Sequence, residues 1–576
     1  MIFKIRRRIK IIVTLIVIGS WCQVYSQDLV IKNANFLNVI TGIYEKGHIQ
    51  ISQGVITSIS KDKFDESIES IDATGKFIIP GLIDAHIHLF QSGGLYTRPD
   101  AIDLRHILPY EEERIWMIEN AEDILRRYLR LGITTVIDVG GPNYNLRLRD
   151  QITNSRELPN IWMTGPLIST YLPPELDVNV PPIMKANSME EARQMVRDQL
   201  ALNPDFIKIW YISLPNQNAE STLDIVKAAI VESHLHNLRV AVHATELNTA
   251  KLAIHAGADI LVHSVKTPVD DDFLRMLEEN EVSYIPTLYV HGNYDRVFGE
   301  QFDPSDEDHK YAPPIPLGSI YDIKDEELKQ QRASFRSYIP DMIANNQISD
   351  SIRRANLKIV MSNKALVATG TDAGNIGTMH ASAYYDEIAL MKLSGLSNFD
   401  ILKASTINGA KVLNREASIG SIASGKMADL LILDSNPLED IDGIQNIHRL
   451  VKGGKVHHPD TIVAVTSEHL VQQQLNGYNA RNIDAFLLPY ADDVKIYNFP
   501  NDFLYEGKEK MRENYSSMFE KTPGLHCELK HRIIMGNTVI DQERVTGFPN
   551  GYILEATAIY KIKNDRIAEV YFIRKE

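Results

Sequence analysis

The sequence predicts an α/β fold: a (β/α)8 barrel, a flanking composite β-sandwich, and a C-terminal α+β domain. Three observations carry this. Eight short apolar runs recur between residues 77 and 371, and continuous apolar runs are what parallel strands buried on both faces require. Several of those runs end on histidine, lysine or aspartate, and the strand ends of such a barrel converge on one mouth. Alternating apolar and polar positions occur on both sides of this region, and helices followed by strands close the chain.

The first 26 residues read as a targeting segment. Lys4, Arg6, Arg7, Arg8 and Lys10 precede an apolar stretch from Ile11 to Ile18. That stretch is shorter than the ~20 residues of a membrane-spanning helix. Val24-Tyr25-Ser26 before Gln27 is a small-residue cleavage pattern, so a secreted or periplasmic destination is expected. Cys22 follows the bulky Trp21, which argues against a lipoprotein site. No stable membrane span is expected once this segment is cleaved.

Residues 28–76 and 420–458 alternate with a period of two, as in His48-Ile49-Gln50-Ile51 and Leu450-Val451-Lys452. They are expected to pair into one β-sandwich built from both flanks of a barrel at 77–419. The eight strand candidates are 77–88, 133–139, 161–169, 206–211, 239–244, 260–265, 283–290 and 365–371. Helical patterns separate several of them, at 189–202, 221–235 and 271–279. Residues 291–350 are long for one connection, and long connections inside a domain are often functional, here as a cover for the mouth. From 465 to 576 the order is helix, short helix, then strand-like runs, which is an α+β layout.

Composition narrows the function. At 576 residues the chain exceeds one ordinary core. Hydrophobic residues at 44% and charged residues at 23% are those of a folded globular protein. The net charge is −15, and losing the five positive charges of the leader, with no negative one, would take it to −20. Nucleic acid is disfavoured as a partner, because binding phosphates needs a basic face. Without the leader a single cysteine, Cys527, remains, which excludes an internal disulfide and a cysteine-based zinc site.

The candidate metal ligands are His86, His88, Lys208, His243, His263 and Asp372. His86 and His88 are two apart, so on a strand they point to one side. A second pair, His234 and His236, sits in a helical stretch, where residues two apart do not face each other. A lysine inside the apolar run Phe206-Ile207-Lys208-Ile209-Trp210 is expensive to bury as a cation. It is either a partner-satisfied lysine or a neutral amine carboxylated by carbon dioxide. A lone core histidine is more often structural than a ligand. Four of them with an aspartate at successive strand exits make a two-metal centre the stronger reading.

These residues, with Pro80-Gly81-Leu82-Ile83-Asp84-Ala85 before His86, Gly370-Thr371-Asp372-Ala373-Gly374, and Gly425-Lys426-Met427-Ala428-Asp429-Leu430, resemble the amidohydrolase superfamily over residues 28 to 460. The nearest branch is imidazolonepropionase-like and prolidase-like. The resemblance implies one metal on His86, His88 and Asp372, a second on His243 and His263, and a carboxylated Lys208 bridging both. Lys208 points to the binuclear, prolidase-like type, with zinc the usual ion. Asp372 would act as base and then acid, with His263 as the other catalytic group, and two cations sharing a water would lower its pKa. His380 and Tyr211 are the candidate contacts to a small-molecule substrate. The expected reaction is hydrolysis of an amide C–N bond in a dipeptide, N-acyl or cyclic amide. The same centre admits a lactone, a carbamate or a deamination, and a non-catalytic small-molecule-binding protein is the third reading.

Gly477-Tyr478-Asn479-Ala480-Arg481-Asn482-Ile483-Asp484-Ala485-Phe486 and Gly507 resemble the ketosteroid-isomerase-like (SnoaL-like) family over 465–576. That implies a cone-shaped sheet around a pocket, and pairing of two copies as a homodimer. The isomerase's catalytic carboxylate pair has no counterpart that the motif places.

Overall fold

The computed structural model describes residues 28–62, 64–152, 155–214, 216–322 and 339–574. The targeting segment expected over 1–26 lies outside the described residues. Among the described residues no helix is long and apolar enough to cross a membrane.

Eight parallel runs form the barrel. Leu82–Ile87, Ile133–Asp138 and Asn160–Met163 make a three-stranded sheet. Ile207–Trp210, Val240–His243, Ile260–Val262, Ser283–Ile285 and Leu366–Val367 are the fourth to eighth, paired in that order in a second sheet, which two short strands outside the eight, Leu167–Ser169 and Ile183–Lys185, extend beyond Ile207–Trp210. Backbone bonds close both seams: Ala85 N donates to Thr369 O (2.9 Å), and Asp205 N to Met163 O (3.0 Å).

Alternation sorts the side chains into two layers. Ile207, Ile209, Val240, Val242 and Leu261 join the core between strands and helices. Phe206, Ala241, Ile260 and Val262 fill the barrel interior. Lys208 and His243 share the parity of Phe206 and Ala241, and so face the interior. The helices arise from strong local signals. Ser188 caps Met189–Leu200 by accepting from Glu191 N, and Asp270 caps Asp271–Glu279 by accepting from Phe273 N.

Several expected strands are shorter or divided. The run 77–88 is two strands broken at Gly81. Phe77–Pro80 pairs antiparallel with Leu430–Leu433 in the flanking sheet, and Leu82–Ile87 starts the barrel. A Cβ on Gly81 would lie 2.1 Å from Thr134 Oγ1, so only glycine allows the chain to cross between the sheets there. The run 161–169 divides around Gly165-Pro166, and regular pairing in 283–290 ends before Pro286, which has no N–H to give a ladder.

The two flanks join in one eight-stranded sheet folded over its own core of Ile31, Phe36, Ile49, Ile78 and Ile432. Its edge at Val55–Ser60 is tied back when Ile56 N donates to Lys426 O (2.8 Å). The opposite face, with Leu37, Ile79, Leu431 and Leu433, packs on the barrel core.

Residues 291–350, expected as a long connection, carry helices at Asn293–Phe298, Asp306–Tyr311 and Pro314–Ser319 and the start of Ile339–Ser362. The C-terminal domain packs helices Ser467–Ala480, Ile483–Leu487 and Lys508–Lys521 on a six-stranded sheet. A Cβ on Gly477 would stand 2.3 Å from Phe486 N, so the first two helices touch through this glycine. The sheet encloses a cavity of about 290 Å³ lined by aromatic side chains and by Glu543. The first helix docks on the barrel's excursion: Gln473 Nε2 donates to His309 O and Asn476 Nδ2 to Pro314 O, both at 2.7 Å.

Gly81→Ala should lower stability by about 1–3 kcal/mol, as overpacking does in a filled core. Urea unfolding measures it, and an unchanged midpoint would show that Thr134 can move aside.

Candidate metal centre

Four imidazoles, one amine and one carboxylate gather at the C-terminal end of the barrel strands. His86 Nε2 and His88 Nε2 each lie 3.2 Å from Asp372 Oδ1. His263 Nδ1 lies 3.8 Å from Asp372 Oδ2. The His86 and His263 rings are 4.9 Å apart and the His263 and His243 rings 4.4 Å apart, centroid to centroid. Lys208 lines the same cavity, on a strand whose Trp210 is in register with His243. His86, His88 and Asp372 form the tightest group, with ligand atoms all within 4.8 Å of one another.

The local backbone aims these side chains. A register shift between Asp84 and Ile87 breaks strict alternation, so Ala85 faces the barrel interior while Ile87 joins the helix layer. Alternation from Ile260 and Val262 would send His263 to the helix layer; its φ of 78° turns it into the mouth. Asp372 has φ 60° and its N–H donates to His86 O (2.7 Å). Two non-glycine residues in the left-handed region at one site is strain that the surrounding structure must hold. Gly370 permits the approach of strands one and eight, since its Cβ would meet His86 Cβ at 2.8 Å.

A second ring of groups fixes these side chains. Asp84 accepts from His86 N (3.2 Å), Thr371 N (3.1 Å) and the Thr371 hydroxyl (2.8 Å). Burial pushes its carboxyl up to about 7, against the pull of those bonds. Asp138 accepts from Leu89 N (3.2 Å) and Gly140 N (3.0 Å). The Gly140 carbonyl in turn accepts from His88 Nδ1 (2.8 Å), which leaves Nε2 of that ring toward Asp372. His263 Nδ1 pairs with the Thr287 hydroxyl (2.8 Å), leaving its Nε2 available. Such bonds set the tautomer and orientation of ligating histidines.

The electrostatics follow from burial. Desolvation lowers the His86 imidazole to about 3 and holds His243 and His263 well below the usual range, so all three are neutral lone-pair donors. Desolvation also lowers the Lys208 amine to about 7. Burial would raise the Asp372 carboxyl, but the His86, His88 and His263 imidazoles outweigh it and keep it well below the ordinary carboxylate range.

The residues present fit a metal. Among the described residues, both ring nitrogens of His86, the Lys208 Nζ and Asp372 Oδ1 are buried with no hydrogen-bond partner. Orphaned buried polar atoms cost about 1–3 kcal/mol each, which a cation among them would offset. N and O donors in this mixture suit zinc, iron or manganese.

The cavity above the centre measures about 320 Å³. Two expected substrate contacts do not line it. His380 is buried behind the first strand, with Nε2 donating to Gln91 O (2.7 Å) and Nδ1 accepting from Tyr128 OH (2.9 Å). It positions Gln91, which does line the cavity. Tyr211 is buried in the strand–helix core and donates to Ala219 O. The decoy pair behaves as a helix end should: His234 faces Asp259 (2.9 Å) and His236 faces Glu232 (3.4 Å), both away from the mouth.

The cavity wall also holds residues that the sequence reading passed over, among them Arg98, Trp210, His291, Tyr294 and Asn375. Arg98 Nη1 donates to Asn375 Oδ1 (2.7 Å) and Tyr294 OH (3.0 Å), while Nε and Nη2 clamp Asp100. Asn375 Nδ2 donates to Asp372 O (3.1 Å), so this network braces the aspartate's turn. His291 had a signal: it follows the seventh apolar run as His243 and His263 follow theirs.

Residues 77–457 match the amidohydrolase family, and the chain belongs to that family. Residues 471–570 match the SnoaL-like domain, so the chain joins the two. A 62-residue stretch is 47% identical to an adenine deaminase from Oceanobacillus iheyensis, covering 11% of this chain and 10% of that protein. A 74-residue stretch is 40% identical to a dihydroorotase from Carboxydothermus hydrogenoformans, covering 13% and 17%. The match thus spans about a tenth to a sixth of these relatives. Among solved structures, a Xaa-Pro dipeptidase with bound methionine is 23% identical, with a TM-score of 0.55 over 75% of this chain and 100% of its own. Molinate hydrolase is 18% identical, with a TM-score of 0.56 over 76% and 95%. These likenesses establish a shared fold.

Asp84→Asn should weaken metal affinity about 10–100-fold, the usual cost of losing a group that orients a ligand. Titration against a competing chelator reads it, and unchanged affinity would remove Asp84 from the supporting frame. His380→Ala should cost about 1–3 kcal/mol of stability by stranding the Gln91 carbonyl and Tyr128 hydroxyl. If instead it raised KM at constant stability, a direct substrate contact would be restored.

Proposed function

We propose that this protein is a binuclear metal-dependent amidohydrolase that cleaves a C–N bond in a dipeptide, N-acyl or cyclic amide substrate. The observation that carries the reading is the set of buried, unpartnered nitrogen and oxygen atoms on His86, Lys208 and Asp372, beside His88, His243 and His263. His86, His88 and Asp372 would hold one ion and His243 and His263 the second. Zinc is the ion proposed. When bound, the pair supplies an activated water and polarises the scissile carbonyl.

The chain's own groups account for the remaining chemistry. Lys208, lowered to about 7 by burial, has a large neutral fraction at neutral pH, and the neutral amine is the form that combines with carbon dioxide. Its carboxylate would bridge the two ions. Asp372 is ionised, faces His86, His88 and His263, and lines the cavity. It is placed to take a proton from the attacking water and return it to the leaving nitrogen. His263, neutral and fixed by Thr287, is both a ligand and a neighbour of the reacting groups. Apolar residues such as Leu167, Leu176 and Ile183 line the cavity beside Trp210 and keep part of it dry.

The similarity to an adenine deaminase and a dihydroorotase favours including C–N bonds of nitrogen heterocycles, in the ring or to an amino group on it, among the substrates. A secreted or periplasmic location belongs to the same reading, on the basic and apolar pattern of residues 1–26. So does pairing of two copies through the C-terminal domain, where Ile533, Ile534 and Met535 are exposed on one strand of the sheet.

The test is a hydrolysis screen of metal-loaded protein against Xaa-Pro dipeptides, N-acyl amino acids, cyclic amides, adenine and lactones, with metal analysis of the same sample. Two ions per chain are expected, with turnover of at least one amide. Asp372→Asn should lower kcat by about 10²–10⁴, the range of a lost acid–base group. A fully loaded protein that turns over none of these classes would refute the hydrolase reading, and activity on lactones alone would move it to the ester bond.

A further inference from the structure

A second, smaller cavity lies behind the metal site, with His291 in the wall between them. It measures about 150 Å³. Leu288, Tyr289 and Leu390 line part of it, and His291 lines both this cavity and that of the metal centre. Its charged lining is unbalanced: Arg296, Arg353 and Arg354 face one acid, Asp350.

Among the described residues the ion pairs do not use up those cations. Arg353 Nη1 donates to Asp350 Oδ1 (2.9 Å), while Arg296 Nη2 stands 3.7 Å from Asp350 Oδ2. Arg296 Nη1 donates to the neutral Asn293 Oδ1 (2.9 Å). Arg353 is only 8% exposed, and its Nε is buried with no hydrogen-bond partner among the described residues. Among the same residues His291 Nε2 is buried without a partner as well. A guanidinium N–H withdrawn from water and left without an acceptor is costly, and the group that best repays it is an oxyanion, whose two oxygens match the guanidinium fork. The space is about five times the ~30 Å³ that a water occupies in the liquid, enough for an ion of few atoms.

We propose that this chamber is a binding site for a small oxyanion, held by Arg353 together with Arg296 and Arg354. The anion is either a free ion such as inorganic phosphate or the carboxylate of a molecule whose other end lies in the metal cavity, reached past His291. The second source rests on the hydrolase reading, and the anion site itself does not. Buried arginines near a reacting centre fix the orientation of a charged substrate, so an acidic end here would set which bond meets the metals.

The experiment titrates inorganic phosphate into the full-length protein by calorimetry, once metal-loaded and once after chelator treatment. Binding is expected in both forms. It should weaken about tenfold or more in Arg353→Gln, and likewise in Arg354→Gln, whose partly exposed side chain leaves folding intact, because a charge-assisted bond is lost. Arg126→Gln, which pairs with Glu122 and does not line the chamber, should bind as the parent does. Phosphate binding that disappears on chelation would place the anion on the metals and overturn the proposal. So would binding that is absent, or equal in the parent, Arg353→Gln and Arg354→Gln proteins.

Two kinetic outcomes separate the sources with any amide found in the screen. Phosphate competing with an acidic substrate, and a KM that rises about tenfold in Arg354→Gln for the acid but not for its methyl ester, assign the chamber to the substrate's carboxylate. Phosphate that changes kcat without competing assigns it to a free ion. Should no substrate emerge from the screen, the titration still decides the site.

Discussion

The structure depends on keeping six candidate ligand side chains, His86, His88, Lys208, His243, His263 and Asp372, dry and close together. Four imidazoles, an amine and a carboxylate share one mouth, and several of their polar atoms have no hydrogen-bond partner among the described residues. Burial of that kind opposes folding, so the rest of the barrel must hold it in place. Asp84 ties His86 to Thr371 across the seam between strands one and eight, and Asp138 ties the segment after His88 to Gly140. The left-handed residues His263 and Asp372 belong to the same constraint: their backbone is strained because their side chains must meet.

The other parts of the chain serve that mouth. The flanking sheet packs Leu37, Ile79, Leu431 and Leu433 on the barrel core, next to the start of the first strand. The excursion that begins at His291 supplies one wall, and Arg98 links it through Tyr294 to the Asp372 turn. The helix Ser467–Ala480 then docks against Pro314 and His309 of that excursion. The C-terminal domain is thereby coupled to an element that borders the active cavity. Its own aromatic pocket contains Glu543, which burial pushes up to about 7 and which accepts from Tyr560 OH (3.0 Å).

Much of this was legible in the sequence, for a physical reason. Parallel barrel strands are buried on both faces, so they appear as apolar runs, and a polar residue at the end of such a run has to be explained. That reasoning singled out His86, His88, Lys208, His243, His263 and Asp372, which the fold brings to one mouth, and set aside His234 and His236 because their helix turns them apart. It did not find Arg98 or Asn375, which come from connections whose geometry no periodicity reports. It placed His380 and Tyr211 at the substrate, whereas each is engaged within the core by a carbonyl, that of Gln91 or of Ala219. Proximity to a strand end gives no information on which way a loop turns.

By itself, then, the amino-acid order determined the layers: runs for the barrel, alternation for the flanks, helices before strands at the end, and the ligand types available. Those are local properties, fixed by burial and hydrogen bonding along a few residues. Only the folded chain decided that Phe77–Pro80 belongs to the flanking sheet and that His263 turns inward against its parity. It also decided that Arg353 and His291 border a common chamber. Each of these depends on contacts between segments far apart in the chain, and a one-dimensional pattern carries no information about such contacts.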